Sequence, residues 1–212
     1  MKHQLLLSFV VLPLSVCLGQ ALKPSKIVEI IPCHLSNSSL TDTIRLTAPA
    51  DFSDPGLFTE ITIKIPGKNI QSFKATDSWD VVDSEFLMNN HNPVPSRNVF
   101  IYKAPKCTFI LLFGFIYGSG REEFSIIKVQ NDSAIMISDN SIEEPIQIGH
   151  IYAQNEIQLL GRDFGEAIGE VDSLNAFIET YHPYYIYSLE NNFQIDSVLT
   201  ERYNKEHYVW VV

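Results

Sequence analysis

Phe109-Ile110-Leu111-Leu112-Phe113-Gly114-Phe115-Ile116 is the stretch that decides the fold. Successive side chains on a strand point to opposite faces, so an unbroken apolar run predicts a strand buried on both sides, at the centre of the molecule. Around it the pattern changes to alternation. Phe58-Thr59-Glu60-Ile61-Thr62-Ile63-Lys64-Ile65 and Thr43-Ile44-Arg45-Leu46 place apolar residues at every second position, the mark of half-buried strands. Pro66-Gly67-Lys68-Asn69 turns the longer of these into Ile70 to Phe73, and Val99 to Tyr102 is a further strand. After the central run, Gly118-Ser119-Gly120 leads into Phe124 to Val129, and Asn131-Asp132 turns that segment into Ala134 to Ile137. Ser78, Trp79, Val82 and Phe86 have helical spacing, with Ser78 as the expected cap, and a second short helix is expected from Ser197 to Tyr203. The chain is thus expected to be all-β with one or two short helices, built as antiparallel meanders.

Its first residues speak to compartment. Lys2 and His3 precede an apolar run from Leu5 to Leu18, followed by Gly19, Gln20 and Ala21. A basic start, a short hydrophobic stretch and small residues after it are the parts of a signal peptide, with cleavage near Gly19 or Ala21. A spanning helix needs roughly 20 apolar residues, and this run is shorter and interrupted by Pro13. Residues 1–19 are therefore expected to be a leader and residues 20–212 a single β-rich domain that is exported, with no transmembrane segment. Cys17 follows Leu14-Ser15-Val16, which has the outline of a lipid-anchor box, but bulky Val16 stands where a small residue is wanted.

Composition narrows the function classes. Apolar residues make up 45% of the chain, enough for a real core. The net charge of −10 and the absence of a Lys/Arg cluster argue against a nucleic-acid partner. Beyond the leader the chain has two cysteines, Cys33 and Cys107. An oxidising compartment would let them form a disulfide, and two separately buried thiols are the alternative. Asn37-Ser38-Ser39 and Asn131-Asp132-Ser133 satisfy the glycosylation sequon, which matters only in a eukaryotic source.

Two stretches look alike. One runs from His34 through Ser36, Ser38 and Asp42 to Ile44, the other from Gly149-His150 through Tyr152, Gln154 and Glu156 to Leu160. Both have the outline of D-x-D-G-D-G-x-x-D/E followed by a short strand. This resembles the FG-GAP/VCBS-like, integrin-α-like repeats of many secreted bacterial proteins, whose loops hold calcium through alternating carboxylates. The resemblance implies blade-like meanders or a two-layer sheet, since about 190 residues are too few for a closed seven-bladed ring. Here the ligand slots are degenerate. His34, Ser36 and Ser38 stand for carboxylates in the first loop, leaving Asp42; His150, Tyr152, Gln154 and Gln158 do so in the second, with Ala153 in place of the first glycine. Ca²⁺ takes 6–8 oxygens, so neither loop is expected to bind it, and a single histidine per loop is a poor zinc set. No metal and no cofactor are expected.

The acidic series Asp77, Asp80, Asp83 and Glu85 reads as the wet face and first turn of a short helix. Six of the nine tyrosines lie after residue 180, and Trp210 joins them. Tyr184, Tyr185, Tyr187 and Trp210 are the candidate binding surface for a polysaccharide or an envelope protein, because exposed rings offer contact area with a polar tip. On a strand, however, Tyr185 and Tyr187 share one face and Tyr184 and Ile186 the other, so at least half of the group is expected in the core. The run Gly161 to Gly169 reads as an irregular loop. There is no G-x-S-x-G elbow and no H-E-x-x-H, so no catalytic residues are assigned. The chain is expected to be a non-catalytic binding or structural domain; an exported hydrolase with dispersed carboxylates is the alternative.

Overall fold

The computed structural model describes residues 24–36, 39–53, 55–114, 123–152, 155–163, 168–171, 177–181 and 183–207. The leader with Cys17, the sequon residue Asn37, the turn Gly118–Gly120 and Trp210 lie outside them.

In chain order the elements are β1 (Ser25–Cys33), β2 (Asp42–Pro49), β3 (Phe58–Lys64), β4 (Gln71–Asp80), α1 (Ser84–Asn89), β5 (Phe100–Lys103), β6 (Thr108–Gly114), β7 (Glu123–Gln130) and β8 (Ser133–Gly149). Then follow β9 (Gln158–Asp163), β10 (Ile168–Val171), β11 (Phe177–Tyr181), β12 (Tyr184–Ser188), β13 (Gln194–Ile195) and α2 (Ser197–His207). One sheet runs in the order β1-β2-β3-β4-β6-β7-β8-β9-β12-β13, with β5 alongside β6, while β10 and β11 pair separately. Every pairing is antiparallel. The fold is therefore mostly β with two short helices, as the alternation predicts, and it is not closed into a barrel or propeller.

The apolar run at the centre does what its composition demands. All seven residues of β6 are buried. Ile110 and Leu112 enter one apolar cluster with Ile44, Leu46, Ile61, Ile63 and Trp79 from β2 to β4. Phe109, Leu111 and Phe113 enter a second cluster with Phe86, Ile148, Leu159 and Tyr187. The strip of sheet is thus coiled around β6, with β1–β4 over one face and α1, β9 and β12 over the other. Each fully buried Phe, Leu or Ile contributes roughly 2–3 kcal/mol, which makes this strand the main apolar anchor. Strand β8 joins the two halves: residues up to Ile142 pair with β7, and residues from Glu143 on pair with β9. Between Pro145 and Gln147 its register shifts, as expected where proline cannot donate to the ladder.

The turn after β7 follows its residue types. Asn131 and Asp132 both have positive φ (52° and 61°), the geometry of a tight two-residue hairpin turn. The helix expected from Ser78 is displaced. Ser78 and Trp79 belong to β4; Ser78 Oγ donates to the Pro55 carbonyl at 2.6 Å. Gly56 packs so close that a Cβ there would collide with that hydroxyl, at a φ of +100°. Helix α1 starts instead after Asp83, whose Oδ1 accepts the Phe86 N–H at 2.7 Å. Trp79 is drawn into the sheet by its burial and by its indole N–H, which donates to Ser125 Oγ at 3.2 Å. Likewise Gly161, Arg162 and Asp163 are strand residues of β9 rather than loop, because β8 and β12 pair with them on either side.

Side-chain carboxamides seal the strand edges that an open sheet leaves unpaired. Gln71 donates to the Ala134 carbonyl (2.8 Å) and accepts its N–H (2.7 Å). Asn90 donates to Ile146 O (3.0 Å) and accepts from Ile148 N (2.9 Å), holding α1 against β8. Asn92 does the same to Val99 O (2.8 Å) and Ile101 N (3.2 Å) beside β5. Asn204 does it to both backbone groups of Tyr184, at 2.9 and 2.7 Å. A carboxamide carries a donor and an acceptor side by side, so it substitutes for one residue of a neighbouring strand. Edges left bare would invite pairing with another chain.

Candidate functional site

Helix α2 buries none of its residues in the core, yet it is fastened to β12. Thr200 Oγ1 accepts the Ile186 N–H at 2.9 Å, Asp196 N donates to Ile186 O at 2.8 Å, and Asn204 completes the edge. Fixed in this way, the helix brings Tyr203 against two other rings. Tyr184 lies 5.3 Å away at 73° and Tyr152 6.0 Å away at 74°, both edge to face. One turn on, His207 stacks on Tyr203 at 3.9 Å, as i and i+4 residues of a helix can. Two guanidiniums join: Arg162 lies over Tyr184 at 4.6 Å and donates to its hydroxyl at 2.7 Å, and Arg202 lies over Tyr152 at 4.7 Å.

Glu206 ties the cluster together. It accepts from Arg202 Nε at 2.8 Å and from the Tyr152 hydroxyl. Its carboxyl is held below the ordinary range, first by the Arg202 hydrogen bond and then by that of Tyr152. Desolvation and the bond to Glu206 push the Tyr152 phenol up to about 12. The result is a half-exposed aromatic face edged by two arginines, suited to stacking a planar or ring-shaped group and bonding its polar edge.

Of the residues expected to form the binding surface, Tyr184 belongs to this face. Tyr187 does not: it is buried and stacks on Phe193 at 4.4 Å, and Tyr185 leans on it from the same side of the strand. The period of 2 forces this split. Tyr152 and Tyr203 are the members that sequence reasoning did not place here. Both are partners only through tertiary structure, and the stack of Tyr203 on His207 is the one local signal.

The two look-alike loops are bounded by strand pairs at matching positions. Cys33 pairs with Asp42 across the first and Gly149 with Gln158 across the second, so loops 34–41 and 150–157 have equal length and each closes a hairpin. Asp42 and Gln158 are both fully buried. Asp42 Oδ2 accepts from Leu35 N (2.7 Å), Ser36 N (2.9 Å) and Ser36 Oγ (3.0 Å). Gln158 Oε1 accepts from Tyr152 N at 2.9 Å, the position matching Ser36. The last slot of each loop thus binds the loop's own backbone. Among the described residues no three His, Cys, Asp or Glu side chains are grouped to hold a metal ion.

Cys33 and Cys107 are not bridged; both are buried free thiols. Cys33 faces the first apolar cluster and Cys107 the second, on opposite sides of the central strands. Burial pushes the Cys33 thiol up to about 12 and raises that of Cys107. The acidic series is also dispersed: Asp77 and Asp80 lie on β4, Asp83 caps α1, and Glu85 is in its first turn. Asp83 and Glu85, with Glu144 and Arg162, do line a cleft of about 220 Å³. No family model matches this chain, and no curated protein or solved structure is significantly similar to it.

Proposed function

We propose that the chain is an exported, non-catalytic binding domain that holds a polysaccharide or an envelope protein on the face of Tyr152, Tyr184 and Tyr203. The observation that carries this is the company of those rings: Tyr203 meets Tyr152 and Tyr184 edge to face, two guanidiniums lie over the group, and Tyr203 and Arg202 are brought there by a helix that buries none of its residues in the core. Rings that served only packing would be expected inside, as Tyr187 is. The leader-like run from Leu5 to Leu18 supports export. The degenerate loops support descent from a calcium-gripping repeat of the FG-GAP/VCBS kind, with the ligands replaced by self-bonding side chains.

The test is retention of the purified protein on a glycan array and on envelope-protein extracts. Retention by a defined glycan or protein, lost at least tenfold in Tyr152→Ala/Tyr203→Ala, is the expected result. Retention that ignores this substitution, or no retention together with turnover on a hydrolase substrate panel, overturns the proposal. The second reading, an exported hydrolase, has one observation in its favour: Asp83, Glu85 and Glu144 share the cleft with Arg162. Turnover abolished by Glu144→Gln would establish it.

A further inference from the structure

Three turns converge at one end of the sheet around a cavity of about 130 Å³. The first hairpin loop supplies His34, the β5–β6 turn supplies Lys103 and Lys106, and the β7–β8 turn supplies Asn131 and Asp132. Thr108 Oγ1 donates to the Leu35 carbonyl at 3.0 Å, locking loop to strand beneath the opening, and Ala104 N donates to Cys107 O at 2.9 Å, closing the lysine turn. The one carboxylate at the rim, Asp132, is already paired with Lys68 at 3.2 Å. Among the described residues, neither Lys103 nor Lys106 has an acidic partner. Two lysines without an acidic partner among the described residues therefore line a polar hollow in a chain whose net charge is −10. Net charge does not decide the matter, because the Debye length at physiological salt is about 8 Å and distant carboxylates are screened. What a guest feels is the local pair of lysines, in a cavity that Asn131 and His34 also line.

We infer that this cavity binds a small oxyanion — sulfate, phosphate or a carboxylate — either free or as the acid group of a sugar. Its volume exceeds the roughly 10–15 Å³ that one water requires, and it admits a single acid group with its hydration. The site is separate from the tyrosine face and stands or falls independently of it. The experiment is calorimetric titration of the purified protein with sodium sulfate, sodium phosphate and sodium glucuronate, with glucose as the neutral control. Sulfate and phosphate report the bare ion, glucuronate the acid group carried by a sugar.

Saturable binding of at least one oxyanion is expected, with a midpoint below about 10 mM that rises with added NaCl. It weakens at least tenfold in Lys103→Ala/Lys106→Ala and is retained in Lys103→Arg/Lys106→Arg. Both lysines are exposed, so these variants keep the fold, and a thermal melt confirms it. Tyr203→Ala leaves this binding unchanged, which separates failure of one site from failure of the other. No saturable uptake of any of the three anions, or uptake undiminished by the double alanine variant, overturns the inference.

Discussion

Replacing Asp42 by alanine tests whether the first loop is held by its own carboxylate. The substitution removes the acceptor of three hydrogen bonds: Leu35 N, Ser36 N and Ser36 Oγ. Leu35 N is buried, so it is left without a partner at a cost of about 1–3 kcal/mol. Ser36 is only half-buried and turns to water, so its two bonds to the charged oxygen add about 1–2 kcal/mol. The total is about 2–5 kcal/mol, which for a chain of this size lowers Tm by roughly 5–15 °C. Asp42→Asn keeps the shape and an acceptor oxygen, losing only the charge assistance, and is expected to cost about 1–1.5 kcal/mol. Gln158→Ala in the second loop loses the neutral bond to Tyr152 N and costs less than Asp42→Ala. The two loops share no partner among these bonds, so the double variant should show the sum of the singles to within about 0.5 kcal/mol. The assay is urea unfolding followed by tryptophan fluorescence, with differential scanning calorimetry for Tm. A Tm within 2 °C of the parent for Asp42→Ala, or equal losses for alanine and asparagine, would refute the account of a carboxylate spent on the loop backbone.

Burial keeps the Cys33 thiol neutral, with its pKa near 12, so about a thousandfold less thiolate is present than for an ordinary thiol near 9. Iodoacetamide at pH 8, mapped by mass spectrometry, should leave Cys33 unlabelled in the native protein and label Cys33 and Cys107 fully in urea; a mass loss of two hydrogens that a reductant reverses would contradict the free thiols. Tyr152 has a folded pKa raised above its unfolded value, so the stability it contributes is full below pH 10 and fades as pH rises towards 12. Tyrosinate absorbance should therefore lose a phenol titrating near 12 in Tyr152→Phe, and identical curves for the two proteins would dismiss the Glu206 bond. Asn204→Leu removes the seal on the β12 edge, and hydrogen exchange at the Tyr184 amide should accelerate at least tenfold while the Leu111 amide is unaffected. An unchanged Tyr184 rate would mean that Asn204 does not seal this edge.

Much of this protein was determined by the local order of its residues. The unbroken run at Phe109 to Gly114 could be satisfied only by burial on both faces, and alternation at Phe58 to Lys64 only by burial on one. Asn131-Asp132 adopts positive φ wherever it joins two strands, and the split of Tyr184 from Tyr187 follows from a period of two. The common span of loops 34–41 and 150–157 could also be read, since Asp42 and Gln158 stand at the same offset from His34 and His150. Other features were decided only when distant segments met. Nothing in the neighbourhood of Gln71, Asn90, Asn92 or Asn204 says that its amide will seal a strand edge, because the edge belongs to another part of the chain. Ser78 was a good helix cap by type, but the indole beside it gained more from the core than a helix could return. Cys33 and Cys107 were an even pair on paper, and β6 stands between the clusters they enter. Tyr152 and Tyr203 lie on separate elements, so only the docking of α2 turns them into a surface. Periodicity reports which face of a segment is apolar; it carries no information about which edge a polar side chain will find.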